Sequence, residues 1–292
     1  MAPRVSRSTG FPAADSRDDF ARARRGQTWS RIAGRLRGRS RDLDLMLPFD
    51  EVVAALGRRG EQRRGLRTVP VDAIVGSVDR AHGFDRRFRP TSQLTRTRFE
   101  RIAEAARRGQ DFPPVVLFQV GAAYFVQDGH HRVAVARALG REDIAAWVTE
   151  ILTVVGADRD LTLADLPTKG HERLFRERVP LPPDLLAAVH VDDPDDYAHL
   201  AEGFEAWAWR IAQQDAAHDG ERILPDRGAM ALRWWHELYQ PTLALLRDAG
   251  LITGEHADTA AYLRLSDERY RLLRTQQWDD DVVRRLRRAL HH

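Results

Sequence analysis

Tyr124-Phe-Val-Gln-Asp-Gly-His-His-Arg-Val-Ala-Val-Ala-Arg-Ala-Leu-Gly140 changes texture twice within seventeen residues. Tyr124 to Gln127 is a short aromatic and β-branched run of the kind that pairs as a buried strand. Asp128-Gly129 breaks it. From His130 onward the residues are good helix formers, Val135, Ala138 and Leu139 recur at helical spacing, and Gly140 supplies a stop. The stretch therefore predicts strand, tight turn, helix. A helix entered through a glycine turn presents uncapped amides and the positive end of its dipole at one place, a setting that draws anions. Arg132 in the first turn opposes that dipole, and a phosphate accepting from both the amides and the guanidinium fork accounts for it. The same spacing also reads as a plain β–α turn with a solvated arginine and two incidental histidines.

Working outward, Pro113-Pro114 introduces Val115 to Val120 as a strand, and Gly121-Ala122 turns it back into Tyr124 as an antiparallel hairpin. Phe99, Ile102, Ala103 and Ala106 predict a helix that Thr95 or Thr97 caps and Gly109 ends. The loop Asp79 to Pro90 carries Arg80, Arg86, Arg87 and Arg89, either a solvated cluster or one that closes over an anion held at Gly129. Leu66 to Val78 reads as one or two short strands bent at Pro70 and Gly76, and Phe49 to Leu56 as a short helix closed by Gly57. Downstream, Ile144 to Ile151 is a further strand.

Beyond Thr153 the pattern is helical. Pro180, Pro182 and Pro183 mark a linker, and helices are expected near Tyr197–His218, Asp226–Ala249 with a kink at Pro241, Asp258–Leu273 and Asp279–Leu290. Trp207, Trp209, Trp234, Trp235 and Trp278 read as core or interface packing, and this aromatic-rich tail as a homodimer surface. At the other end, residues 1–19 read as disordered and Asp19 to Arg37 as basic helix with Trp29, Ile32 and Leu36 at a three-then-four spacing. Residues 1–40 hold ten arginines against three aspartates, while the whole chain of 292 residues carries only +3. Such a leader is either a solvated tail or a contact for nucleic acid. The expected organisation is a basic leader over 1–60, a phosphate-binding domain over 61–160 and a helical domain over 161–292. The fold class is α+β: a small mixed sheet with helices, followed by a mostly α-helical region. Zero cysteines exclude disulfides and thiol chemistry. No apolar run reaches membrane-span length and no signal segment is visible, so a cytoplasmic location is expected.

The order of Val-rich entry, Arg-rich loop, helix, hairpin, Gly-x-x-Arg turn, helix and strand, from about Arg67 to Ile151, resembles the fold shared by ParB partition proteins and sulfiredoxin. Gly129-His-His-Arg132 takes the place of the turn with which ParB proteins hold the triphosphate of CTP. It also resembles the Asp-Gly-His-x-Arg turn of small-molecule kinases on this fold. His130 stands where sulfiredoxin has its cysteine, which excludes that chemistry. The tail, with Trp235, Leu238-Tyr-Gln-Pro241 and Asp258 to Leu263, is similar to that of a family of uncharacterised bacterial ParB-like proteins. No helix-turn-helix pattern follows the ParB-like region.

Three functions stay open at this stage. A nucleotide-binding switch would hold CTP or ATP with Mg²⁺ through Gln127, Asp128, Gly129, His130, His131 and Arg132, with Arg80 or Arg87 on the opposite side. A phosphotransferase would use Asp128 and His130 as its catalytic groups, with Asp79 and Asp85 behind them. A DNA-associated protein would use the leader and Arg284, Arg285, Arg287 and Arg288. No metal site is expected from the histidines themselves, because adjacent residues on a helix diverge by about 100°.

Overall fold

The computed structural model describes residues 11–36, 46–79, 83–219, 226–252 and 258–290, with side chains described outside 26–36 and 217–219. The chain divides between Gly170 and His171 into two compact units.

The first unit is built on a six-stranded mixed sheet. Its strands are β1 (Leu47–Pro48), β2 (Arg58–Pro70), β3 (Ile74–Ser77), β4 (Val115–Val120), β5 (Ala123–Asp128) and β6 (Asp143–Thr153). Across the sheet they lie in the order β1-β3-β5-β4-β6-β2. The expected hairpin is present, with Val120 opposite Ala123 across Gly121 and Leu117 opposite Val126. β3 runs parallel to β5 and β6 parallel to β4.

Strand alternation sends side chains to both faces, and helices bury each of them. On one face Leu117, Val126, Ala146 and Val148 meet Phe99 and Ala103 of α3 (Arg96–Arg107) and Val133 and Ala134 of α4 (His130–Ala138). On the other, Phe125, Val120 and Ile151 meet Val52 and Leu56 of α2 (Phe49–Leu56), whose Phe49 stacks on Phe118 with centroids 4.9 Å apart. Fully burying one such side chain contributes roughly 1.5–3 kcal/mol.

The leader departs from expectation. Helix α1 (Pro12–Leu36) begins seven residues before Asp19, so residues 12–19 are helical and not disordered. Asp15, Ser16 and Asp19 are buried. The reason lies 88 residues away: Arg107 of α3 donates from Nε to Asp19 Oδ2 at 2.8 Å and from Nη2 to Asp19 Oδ1 at 2.9 Å, and reaches Asp15 Oδ2 at 3.5 Å. Phe20 packs edge-on against Phe99 at 5.5 Å. Residues 1–10 and the side chains of Trp29, Ile32 and Leu36 lie outside the described residues.

The described residues of the second unit pack around one core that includes Trp234, Tyr239 and Phe204. After α5 (Leu166–Arg178) and the short α6 (Pro183–Leu186) come α7 (Asp195–Asp219), α8 (Arg227–Trp234), α9 (Gln240–Asp248), α10 (Asp258–Leu273) and α11 (Asp280–Leu290). The irregularity expected at Pro241 is a π-turn over Trp235–Tyr239 just ahead of it. Proline has no N–H to give the carbonyl four residues back, and the wider turn re-spaces the ladder. Trp207, Trp234 and Trp235 are buried, whereas Trp209 is exposed. In α11, Val282, Val283 and Leu286 are buried, the last two in the core, while Arg284, Arg285, Arg287 and Arg288 are exposed. No described helix is long and apolar enough to cross a membrane.

Candidate functional site: the turn between β5 and α4

β5 ends on Asp128, and Gly129 at φ +107°, ψ 20° reverses the chain into α4. Glycine is required there on two counts. The dihedral is left-handed, and an added Cβ would stand 2.6 Å from Val115 Cγ1. Among the described residues no side chain caps the helix, so its first-turn amides have no built-in side-chain acceptor, while Gly129 itself is buried.

Arg132 is committed to its own chain. Its Nη1 donates to Pro113 O at 2.9 Å and Pro114 O at 2.7 Å, and its Nη2 to Asp128 Oδ2 at 2.6 Å. Only 17% of its side chain is exposed. It ties the start of β4 to the turn, so a phosphate on the amides meets this guanidinium only after one of those bonds is released. Gln127 and Asp128 are exposed at the strand end.

The two histidines are held neutral. His130 Nε2 and Ser77 Oγ share a 2.7 Å hydrogen bond, Ser77 being the buried last residue of β3, opposite Val126 of β5. Burial keeps the His130 pKa below its ordinary value, against the pull of the Asp79 and Asp128 carboxylates. His131 is pushed down to about 4 by burial, with Arg98 and His130 adding to the effect. Its Nδ1 is buried with no hydrogen-bond partner among the described residues, and its ring meets Phe84 edge-on at 5.1 Å.

The loop before α3 does lie against α4, through aromatic rings. Phe84 touches His131, and Phe88, at φ 55°, lies 6.4 Å from His130. Of its arginines, Arg89 pairs with Asp85, whose Oδ1 also accepts from the Arg87 and Arg89 amides. Arg86 donates to Arg159 O at 3.1 Å. Arg87 is exposed and acts on Arg137, further along α4. Asp85 is thus a loop-shaping residue. Arg80 lies outside the described residues. Arg137 itself is half-buried, donates to Val71 O at 2.8 Å and Ile74 O at 2.7 Å, and is lowered by burial to about 10.

Sequence reasoning missed Ser77, the carbonyls of Pro113 and Pro114, and Phe84. No local pattern marks Ser77, because its partner is 53 residues away. Pro113-Pro114 did carry a signal, since two prolines running into a strand leave carbonyls that need outside donors. Among the described residues, no group of three or more His, Asp or Glu is placed to hold a metal ion.

No family model matches the chain, and no curated protein matches it. Among solved structures, the C2221 form of a Pnob8-like ParB-N domain aligns over 77% of this chain and 80% of that one, at 12% identity and a TM-score of 0.23. A likeness at that level carries no argument, so the α+β assignment rests on the sheet and helices described above.

Proposed function

We propose that the first unit binds a phosphate-bearing nucleotide at the turn from Asp128 to Arg132. The observation that carries this reading is the N-terminus of α4, whose N-cap residue is Gly129, so that no side chain among the described residues accepts from its first-turn amides. Arg98 is exposed and near enough to His131 to depress its pKa, which makes it a candidate counter-charge. Neutral His130 and His131 contribute N–H donors without adding charge.

A triphosphate with Mg²⁺ fits the turn in part. The described residues hold no preformed cage for the ion, so it would arrive on the phosphates, with Asp128 or Asp79 as a carboxylate ligand. Drawing Asp128 away from Arg132 would free a guanidinium for the phosphate oxygens. Thermal shift with each nucleoside triphosphate, with and without Mg²⁺, tests the reading. A ligand at a thousand times its Kd should add about 4 kcal/mol. If no triphosphate moves the transition, the reading is wrong.

Phosphoryl transfer is the second reading, favoured by one feature: both imidazoles are held neutral, so His130 or the exposed Asp128 can accept a proton from an acceptor hydroxyl. Release of diphosphate only when an acceptor is supplied would select it. For DNA contact through the leader, exposed Arg17 and Arg25 should be substituted and not deleted, because Asp15, Asp19 and Phe20 on the same helix belong to the core.

A further inference from the structure

In the second unit Arg269 of α10 is buried, 8% exposed, with no carboxylate partner among the described residues. Its guanidinium lies over the Trp278 ring at 4.2 Å, its Nη1 reaches Gln277 O at 3.5 Å, and its Nε has no hydrogen-bond partner among the described residues. Burial lowers its pKa, yet an arginine stays charged at any physiological pH. Asp267 acts on it without an ion-pair contact, and a buried cation with so little direct compensation is unfavourable.

This guanidinium lines a cavity of about 510 Å³, within the range of small-molecule sites. Trp207, Tyr262, Tyr270 and Trp278 form aromatic walls. The Ser266 hydroxyl is buried beside the Tyr262 phenol, with which it interacts, so it belongs to the wall and not to the open space. Burial pushes Tyr262 up to about 12, so it remains a neutral O–H. Arg210, also in the lining, is bonded to the Gln276 side chain.

We infer that this cavity binds a small aromatic monocarboxylate, its carboxylate on the Arg269 guanidinium and its ring against the aromatic walls. The charge count selects a monoanion. One buried guanidinium matches one negative charge, while the exposed carboxylates of Glu202 and Asp267 in the lining oppose a phosphate dianion. The site lies wholly within the second unit and does not depend on the nucleotide reading of the first.

The test titrates the full chain with benzoate and indole-3-acetate, and with benzamide and indole-3-acetamide as their uncharged twins, followed by tryptophan fluorescence and calorimetry. At least one acid should bind saturably, with its amide about tenfold weaker or worse. Arg269→Gln should abolish binding of the acid, and Tyr270→Ala, at an exposed aromatic wall, should weaken it severalfold, a check that stands even if the arginine variant fails to fold. Equal binding of acid and amide overturns the inference. So does the lack of saturation at millimolar acid, which would leave Arg269 as a strut for Gln277. Competition by inorganic phosphate as strong as by the acids overturns the ligand class.

Discussion

Arg107 in the first unit and Arg269 in the second are buried to a similar depth among opposite surroundings. Arg107 meets two buried carboxylates, Asp15 and Asp19, and its pKa is raised chiefly by the hydrogen bond to Asp19. Arg269 meets an indole, one carbonyl and a cavity. The first is a closed ion-pair network that docks a helix. The second is an open valence, and an open valence beside a cavity is where a ligand is expected.

The strongest test of that contrast is the same substitution at both sites. Arg107→Met strands Asp15 and Asp19 and should lower stability in urea unfolding by about 3–5 kcal/mol. Arg269→Met strands no carboxylate, only the exposed carbonyl of Gln277, and should stay within about 1 kcal/mol of the parent, in either direction. Equal losses would erase the distinction. At the turn itself, Gly129→Ala meets both a left-handed dihedral and Val115, and should cost about 2–3 kcal/mol.

Arg132→Ala should cost about 1–2 kcal/mol, since it leaves Pro113 O and Pro114 O without their donor. Lysine should not restore the loss, because it cannot fork to three acceptors. If the alanine variant keeps full stability but loses nucleotide binding, Arg132 is a ligand group and not a tie. The smallest effect concerns pH. His131 sits at about 4 when folded against an ordinary 6.5, so the unfolded chain takes up the proton first. Its contribution is whole above pH 6.5 and declines as pH falls toward 4. Half exposed, the ring should shift the melting temperature only modestly, and His131→Phe should flatten that part of the curve. A parent–variant difference that is constant from pH 7 to 4 would remove His131 as the cause.

The elements with one buried face were legible from spacing alone. Helix α2 and strand β4 fall on their expected residues, and the hairpin and α10 follow their apolar periods. β2 was largely missed because an edge strand exposed along most of its thirteen residues, with Gly60 and Gly65 inside it, carries no alternation. The start of α1 was missed because its buried aspartates make sense only beside Arg107. At the candidate site the glycine turn was readable from local chemistry. The Ser77–His130 bond and the commitments of Arg132 were not, since both depend on strands brought together from distant sequence.

The guanidinium that reaches back to two proline carbonyls has one more implication. The shape of the turn is inherited from the hairpin: until β4 is seated, Arg132 holds only Asp128 and Gly129 has no Val115 to lean on. Whatever loosens the first residues of that strand should therefore reach the amide crown of α4 directly, through Arg132 and the Val115 contact, before it disturbs the rest of the sheet.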